Sequence, residues 1–401
     1  MNDVFIYDAL RTPRGKVRDG ALQRVTPIRL AAAPMRALHE RNAFPTDAIE
    51  EVVLGCVVPF GEQGGDIARS AVLAAGYDPS VPGAHLNRFC SSGLDAVNMI
   101  SGQIAAGQAG LAVAGGVESM SRVPMGSDQG AWVSDPRETF LTRYIPQGVA
   151  ADLIATLRGY SRDDVDGYAV SSQQRAAAAQ AGGHFDRSVI PVGDVNGVTV
   201  LERDDNIRPQ TTKDTLGRLE PAFAKMTREQ GYGERAKLAY PQLMRMSHVH
   251  TAGNSSAIVD GAAAVLLGSR EAGERYGLKP RAKIRAWASI GSDPTAMLTG
   301  PTPASERALA RAGMTAADID LFEVNEAFAA VVLNVVDEMK LELEKVNVNG
   351  GAIALGHPLG ASGALLLGTV LDELERRDLS TGLITLCVAG GMGVATIIER
   401  T

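Results

Sequence analysis

Met314-Thr-Ala-Ala-Asp-Ile-Asp-Leu-Phe-Glu-Val-Asn325 is a second writing of Phe44-Pro-Thr-Asp-Ala-Ile-Glu-Glu-Val-Val-Leu-Gly55. In each copy a Thr/Asp turn leads into a short apolar strand. Farther along each half comes a helix start made of small residues, Ser91-Ser-Gly-Leu-Asp-Ala96 and Ala361-Ser-Gly-Ala364. Beyond each helix lie an apolar strand and a glycine turn, Leu111-Ala-Val-Ala-Gly-Gly116 and Leu383-Ile-Thr-Leu-Cys-Val-Ala-Gly-Gly391. Repetition on this scale means two similar supersecondary units. Apolar runs alternating with helical patterns predict α/β halves with parallel strands and crossover helices, stacked as similar domains.

Between the halves the texture changes. From Ser119 to His250 the chain is polar, with charge clusters such as Glu202-Arg-Asp-Asp205. One helix stands out there, Arg162 to Ala181. The segment is too long for a passive loop, so it reads as an inserted subdomain that covers something. Gly268 to Arg281 reads as the helix and turn that join the halves.

A chain of 401 residues implies two or three domains. Only 5% of residues are aromatic while 44 are Gly, which points to cores of Ala, Val, Leu and Ile with close backbone contacts. Lys plus Arg number 39 against 46 Asp plus Glu, and no run of like charge occurs, so a nucleic-acid surface is excluded. The 3 cysteines show no metal-ligand spacing and cannot make a disulfide framework, which suits a reducing compartment. Asp3, Asp8, Arg11 and Arg14 come too early for a signal peptide's apolar core. Val346 to Leu371 lacks Asp, Glu, Lys and Arg, but His357, Pro358 and its many glycines make it unfit to span a membrane. The expectation is a cytoplasmic protein with no membrane span.

Cys90 sits where a β-like run ends and a helix of small residues begins. A helix N-terminus favours a thiolate, lowering the pKa from about 8.5 and making Cys90 a candidate nucleophile, with a buried structural thiol as the alternative. His357 lies in a tight Gly/Pro loop before a helix, where its imidazole could take a proton from a thiol or merely satisfy a loop backbone. Cys387 ends an apolar strand and points toward the kind of crevice where α/β sites form, or into the core. Cys56 has apolar neighbours and reads as core. Asn325 either caps the helix that follows it or holds a water or oxyanion. His248 and His250 have no third candidate ligand nearby, so no metal site is expected.

Five segments taken together resemble the thiolase family along nearly the whole chain. They are Asn87-Arg-Phe-Cys-Ser-Ser-Gly-Leu94, Gly115-Gly-Val-Glu-Ser-Met-Ser121, Asn325-Glu-Ala-Phe-Ala329, Asn349-Gly-Gly-Ala-Ile-Ala-Leu-Gly-His-Pro-Leu-Gly-Ala-Ser-Gly363 and Cys387-Val-Ala-Gly-Gly-Met-Gly393. The resemblance implies the α/β thiolase fold: two pseudo-duplicated βαβαβαββ domains in αβαβα layers, with an inserted loop domain. Its boundaries here would be 1–121, completed by 248–270, for the first domain. The loop domain covering the CoA site would take 122–247, and the second domain 271–401.

The same resemblance gives Cys90 as the acylated nucleophile and His357 as its base. It gives Cys387 as the acid/base at the acetyl-CoA methyl carbon, and Asn325 as holder of a water that completes an oxyanion site with His357. The N–H groups of Cys90 and Ala389 would serve the second oxyanion hole. Ala389 replaces the usual glycine, so a positive φ there would cost strain. Ser256, in Thr251-Ala-Gly-Asn-Ser-Ser256, matches a pantetheine contact, Arg208 matches an arginine on the adenine, and Phe328 falls near the pantetheine tunnel. No metal or cofactor is implied, coenzyme A being a substrate, and the assembly would be a homodimer or homotetramer acting on CoA thioesters.

The stretch after Phe223 is longer than in short-chain acetoacetyl-CoA thiolases and could reshape the acyl pocket. The expected activity is CoA-dependent cleavage of 3-ketoacyl-CoA to acetyl-CoA and a shortened acyl-CoA. Rival readings are a short-chain acetyl-CoA acetyltransferase making acetoacetyl-CoA and a non-catalytic CoA- or lipid-binding homologue.

Overall fold

The computed structural model describes residues 2–401. In chain order its main elements are β1 (Phe5–Arg11), α1 (Pro27–Asn42), β2 (Glu51–Gly55), α2 (Ile67–Ala74), β3 (Ala84–Leu86), α3 (Ser92–Ala105) and β4 (Leu111–Ser119). Then come α4 (Gln147–Arg158), α5 (Arg162–Ala181), β5 (Val259–Gly268), β6 (Ala282–Gly291), α6 (Pro301–Ala312), β7 (Leu321–Val324), α7 (Ala329–Met339), α8 (Ser362–Arg377), β8 (Thr381–Val388) and β9 (Met392–Arg400).

The strands run in the order β7-β8-β9-β6-β1-β5-β4-β2-β3. Read from the β6/β1 junction, the two halves match: β1-β5-β4-β2 on one side, β6-β9-β8-β7 on the other. The junction is slight, with Phe5 opposite Lys283 and Ile6 opposite Ala282. Within each half the first three strands are antiparallel and the next pair, β4/β2 or β8/β7, is parallel, with β3 added parallel beyond β2. The parallel strands with crossover helices expected from the sequence are found in these outer parts of the sheet, while the inner pairs are antiparallel. Residues Ala389 to Gly391 close a hairpin between β8 and β9, and a hairpin can join only antiparallel neighbours.

Side-chain alternation explains the layers. On β4, Val113 faces α1 and α2, while Ala112 and Ala114 face α3 and α8. On β8, Leu383 faces α6 and α7, while Ile384 and Leu386 face the same α3/α8 pair. Helices thus cover both faces of both half-sheets, and α3 and α8 form one shared central layer, giving α–β–α–β–α. Every residue of β4, β5 and β8 is buried, as strands sandwiched between helices must be.

Residues 120–258 add no strand to this sheet. Their longest helix spans Arg162–Ala181, as read from the sequence, and starts with a capping box between Ser161 and Asp164. The joining segment is a helix, Arg270–Tyr276, ended by Gly277 at φ 66°. No helix among the described residues is long and apolar enough to cross a membrane.

Candidate active site

Cys90 lies in the turn between β3 and α3. Phe89 just before it has φ 46°, a left-handed conformation that an aromatic residue keeps only when its surroundings hold it. Asn87 Oδ1 accepts the Phe89 N–H at 2.8 Å, and Ser92 donates its hydroxyl and its N–H to the Phe89 carbonyl at 2.6 and 3.0 Å. The elbow sets the Cys90 sulfur at the wall of a cavity of about 510 Å³.

The His357 loop reaches that elbow through glycines. A Cβ on Gly93 would fall 2.7 Å from the Gly360 carbonyl oxygen, so only glycine lets the two backbones meet. Glu118, wholly buried, clamps the junction by accepting N–H bonds from Val57 (2.9 Å), Val58 (3.1 Å) and Gly360 (2.9 Å) and an amide bond from Gln63 (2.9 Å). The His357 N–H donates to the Ala257 carbonyl at 2.9 Å. Its Nδ1 lies 2.5 Å from Ser362 Oγ, and Asn325 Nδ2 lies 3.3 Å from Nε2. An amide N–H donating to Nε2 leaves the ring proton on Nδ1, where it donates to Ser362.

Asn325 does not cap a helix. The α7 helix begins at Ala329, with Phe328 in the cap position. The Asn325 N–H instead donates to the Thr385 carbonyl at 3.0 Å, fixing it against β8 two residues before Cys387. Cys387 is buried, and its thiol is pushed up by burial and further by the neighbouring Cys90 sulfur. Cys90 thus neighbours Cys387, His357 neighbours Asn325, and the Asn325–Thr385 bond joins the two pairs at the ends of β7 and β8.

The electrostatics correct one expectation. Burial pushes the Cys90 thiol up to about 11, with the Gln147 amide at 3.9 Å lowering it only in part. The cysteine stands before the helix proper, whose N-cap is Ser91, and desolvation outweighs the helix end there. His357 is drawn down to about 3, first by burial and then by the Arg14 cation. At neutral pH the resting pair is therefore a thiol and a neutral imidazole whose Nε2 carries no proton and accepts from Asn325.

Ala389 lies at the cavity with a φ outside the left-handed region; Gly390 and Gly391 take that region instead, at 79° and 78°. Its N–H is available without strain. The Ser256 N–H donates to the Ala327 carbonyl at 2.9 Å and Ala257 to the Ala352 carbonyl at 3.2 Å, so this segment stitches the Asn325 and His357 loops together. Phe328 is 9% exposed and packs edge-on against Phe223 and His250, at 5.8 and 5.5 Å between centroids. Arg208 stands apart from the cluster: it is exposed, and its backbone N–H donates to Gln173 at 2.7 Å. Cys56 is core, as expected.

Residues 224–250, expected to reshape the acyl pocket, do not themselves line the cavity. They act from behind: Arg235 donates to the Tyr144 carbonyl at 2.9 Å, and Tyr144 is a cavity wall. His248 and His250 share one buried carboxylate, Asp152, at 2.9 and 2.8 Å. Among the described residues no group of three or more His, Cys, Asp or Glu is arranged to hold a metal ion.

Four residues with evident influence here carry no signal that sequence reasoning used. Ser362 and Glu118 lie inside quoted motifs, so their polarity among small and apolar neighbours was the available clue. Gln147 had none. Arg14 is 2% exposed and donates to the Gly356 carbonyl at 3.1 Å, one residue before His357; a charge so deep is invisible until the chain is folded.

Two family models match: "Thiolase, N-terminal domain" over residues 4–228 and "Thiolase, C-terminal domain" over 278–400. A 3-ketoacyl-CoA thiolase from Cronobacter sakazakii is 41% identical over 407 residues, covering 100% of both chains. A beta-ketoadipyl-CoA thiolase from Pseudomonas putida is 42% identical over 421 residues, again covering 100% of each. The solved acetyl-CoA acetyltransferase of Bacillus anthracis superposes with a TM-score of 0.86 at 34% identity, covering 100% of this chain and 99% of that one. With both family models matched in order and relatives aligned end to end, the chain belongs to the thiolase family.

Proposed function

We propose that the protein is a CoA-dependent acyltransferase that cleaves 3-ketoacyl-CoA into acetyl-CoA and a shortened acyl-CoA. The observation that carries this is the meeting of two buried thiols, Cys90 and Cys387, with a neutral imidazole whose Nε2 is unprotonated. The Cys90 proton passes to His357 Nε2 as the sulfur attacks the 3-keto carbon. The C2–C3 bond then breaks, leaving the acyl group on Cys90 and the electron pair on C2 as an acetyl-CoA enolate. A water held by Asn325 serves the enolate oxygen together with His357, while the N–H groups of Cys90 and Ala389 serve the acyl oxygen. Cys387 gives its proton to C2. CoA attacks the thioester and carries the acyl group away: its thiol proton returns Cys387 to its resting form, and the departing Cys90 sulfur takes its own proton back from His357. C3 is oxidised from ketone to thioester by as much as C2 is reduced from methylene to methyl, so the reaction balances without an external oxidant or reductant, and coenzyme A enters as a substrate.

Run backward, the same steps condense two acyl thioesters, so metabolite concentrations set the direction. Ser256 and Phe328 are assigned to pantetheine and Arg208 to the adenine, a homodimer or homotetramer is the proposed assembly, and the cytoplasm the proposed compartment. Mixing the protein with 3-ketoacyl-CoA and CoA tests the reading: acetyl-CoA should appear only when both are present. Absence of CoA-dependent cleavage would contradict it.

A further inference from the structure

An acyl group on the Cys90 sulfur must occupy space beside it. None of Arg208, Ser256 and Phe328 lines the cavity there, which leaves it to the acyl tail. Its volume of about 510 Å³ is that of a small-molecule site. Val57, Val58 and Leu359 line one part. A stack of three rings forms another: Phe89 to Trp132 at 5.8 Å and 20°, Trp132 to Tyr144 at 4.8 Å and 11°. Among the described residues no Lys, Arg or His lines the cavity, whereas Asp128 does. A tail ending in a carboxylate would meet the Asp128 carboxyl and no cation, with only the Asn87 and Gln147 amides as polar company. A lone methyl would leave most of the apolar wall untouched.

Trp132 is the middle ring. One face lies on Phe89, the residue before the candidate nucleophile, and the other on Tyr144. Its outer edge lies on Gly390, where a Cβ would fall 2.3 Å from Trp132 Cη2. One side chain therefore touches the acyl space, the Cys90 elbow and the loop after Cys387.

We propose that Trp132 is the specificity-determining residue of the acyl site, selecting 3-ketoacyl-CoA whose tail is uncharged, apolar and several carbons or more in length. The proposal rests on the thiolase reading above. An apolar tail gains contact along the ring stack; a short tail leaves that surface wet, and an acidic tail is refused.

The test is kcat/KM for acetoacetyl-CoA, 3-ketodecanoyl-CoA and 3-ketoadipyl-CoA with the wild type, Trp132→Ala and Trp132→Phe. The wild type should favour the decanoyl substrate over each of the others by about tenfold or more. Trp132→Ala should lower its kcat/KM by about tenfold, mainly through KM, and that of acetoacetyl-CoA by less than about threefold. Trp132→Phe, which keeps a ring in the stack, should restore most of the loss. Equal losses on both substrates, an unchanged ratio, or a wild-type preference for either other substrate overturns the proposal alone. Failure to cleave any of the three with CoA overturns the thiolase reading, and this proposal with it.

Discussion

At the scale of the residue, burial sets the chemistry. A thiol held near 11 and an imidazole near 3 do not exchange a proton at rest, so activation belongs to the substrate-bound state. Alkylation of the free protein's Cys90 by iodoacetamide should therefore keep accelerating toward pH 11; a plateau near 8.5 would mean the helix end wins over burial. Arg14 adds a second check. Its cation disfavours imidazolium at His357. Removing it raises the His357 pKa, though not to its ordinary 6.5, because burial is the larger cause. In Arg14→Met the acid limb of kcat/KM should move to higher pH, and in Arg14→Lys it should stay. An unmoved limb in Arg14→Met would dissociate Arg14 from the histidine. Ser362→Ala removes the partner of Nδ1, a loss of about 0.5–1.5 kcal/mol in orientation, and should lower kcat with little change in fold.

Among elements, the decisive contact is α3 against the loop before α8. Gly93→Ala has no room: its Cβ would press on the Gly360 carbonyl, and relief means shifting the loop that carries His357. About 1–3 kcal/mol of lost stability and a fall in kcat should appear together, read by urea unfolding and by thiolysis. Stability lost with kcat intact would show that the loop shifts without displacing His357. Much at this scale was legible beforehand. The Thr315–Asp318 turn before β7 and the Arg162–Ala181 helix follow from local capping and periodicity. The ring stack was not legible, because Phe89, Trp132 and Tyr144 meet only through the fold, and no local pattern encodes a contact between distant loops. Nor was the thiol's direction of shift, because a helix-end argument sees the dipole and not the desolvation.

For the whole molecule, the repeat in the sequence became two half-sheets in mirrored strand order sharing α3 and α8. The sequence showed that the halves correspond, while their edge-to-edge joining depended on pairing between β1 and β6 that periodicity cannot reveal. Because that junction is short, a buried ion cluster beside it gains weight. Arg281, 7% exposed, reaches Asp8 of β1 at 3.2 Å and Asp372 and Glu375 of α8 at 2.6 and 2.7 Å. Arg281→Met leaves the buried Asp372 without a cation, while Asp8 keeps Arg41 at 3.7 Å and Glu375 keeps Arg187 at 2.6 Å, and should cost about 3–5 kcal/mol, seen as a lowered urea midpoint. An unchanged midpoint would mean the halves are held by the α3/α8 layer alone.

The central claim is an acyl group carried by Cys90 after carbon–carbon cleavage. Intact-mass measurement of the protein mixed with 3-ketodecanoyl-CoA in the absence of CoA tests it most directly. The account predicts one octanoyl group per chain, mapped to Cys90, an equal amount of acetyl-CoA released, and loss of the group when CoA is added. A protein that releases acetyl-CoA with no adduct, or with the adduct on another residue, would contradict it.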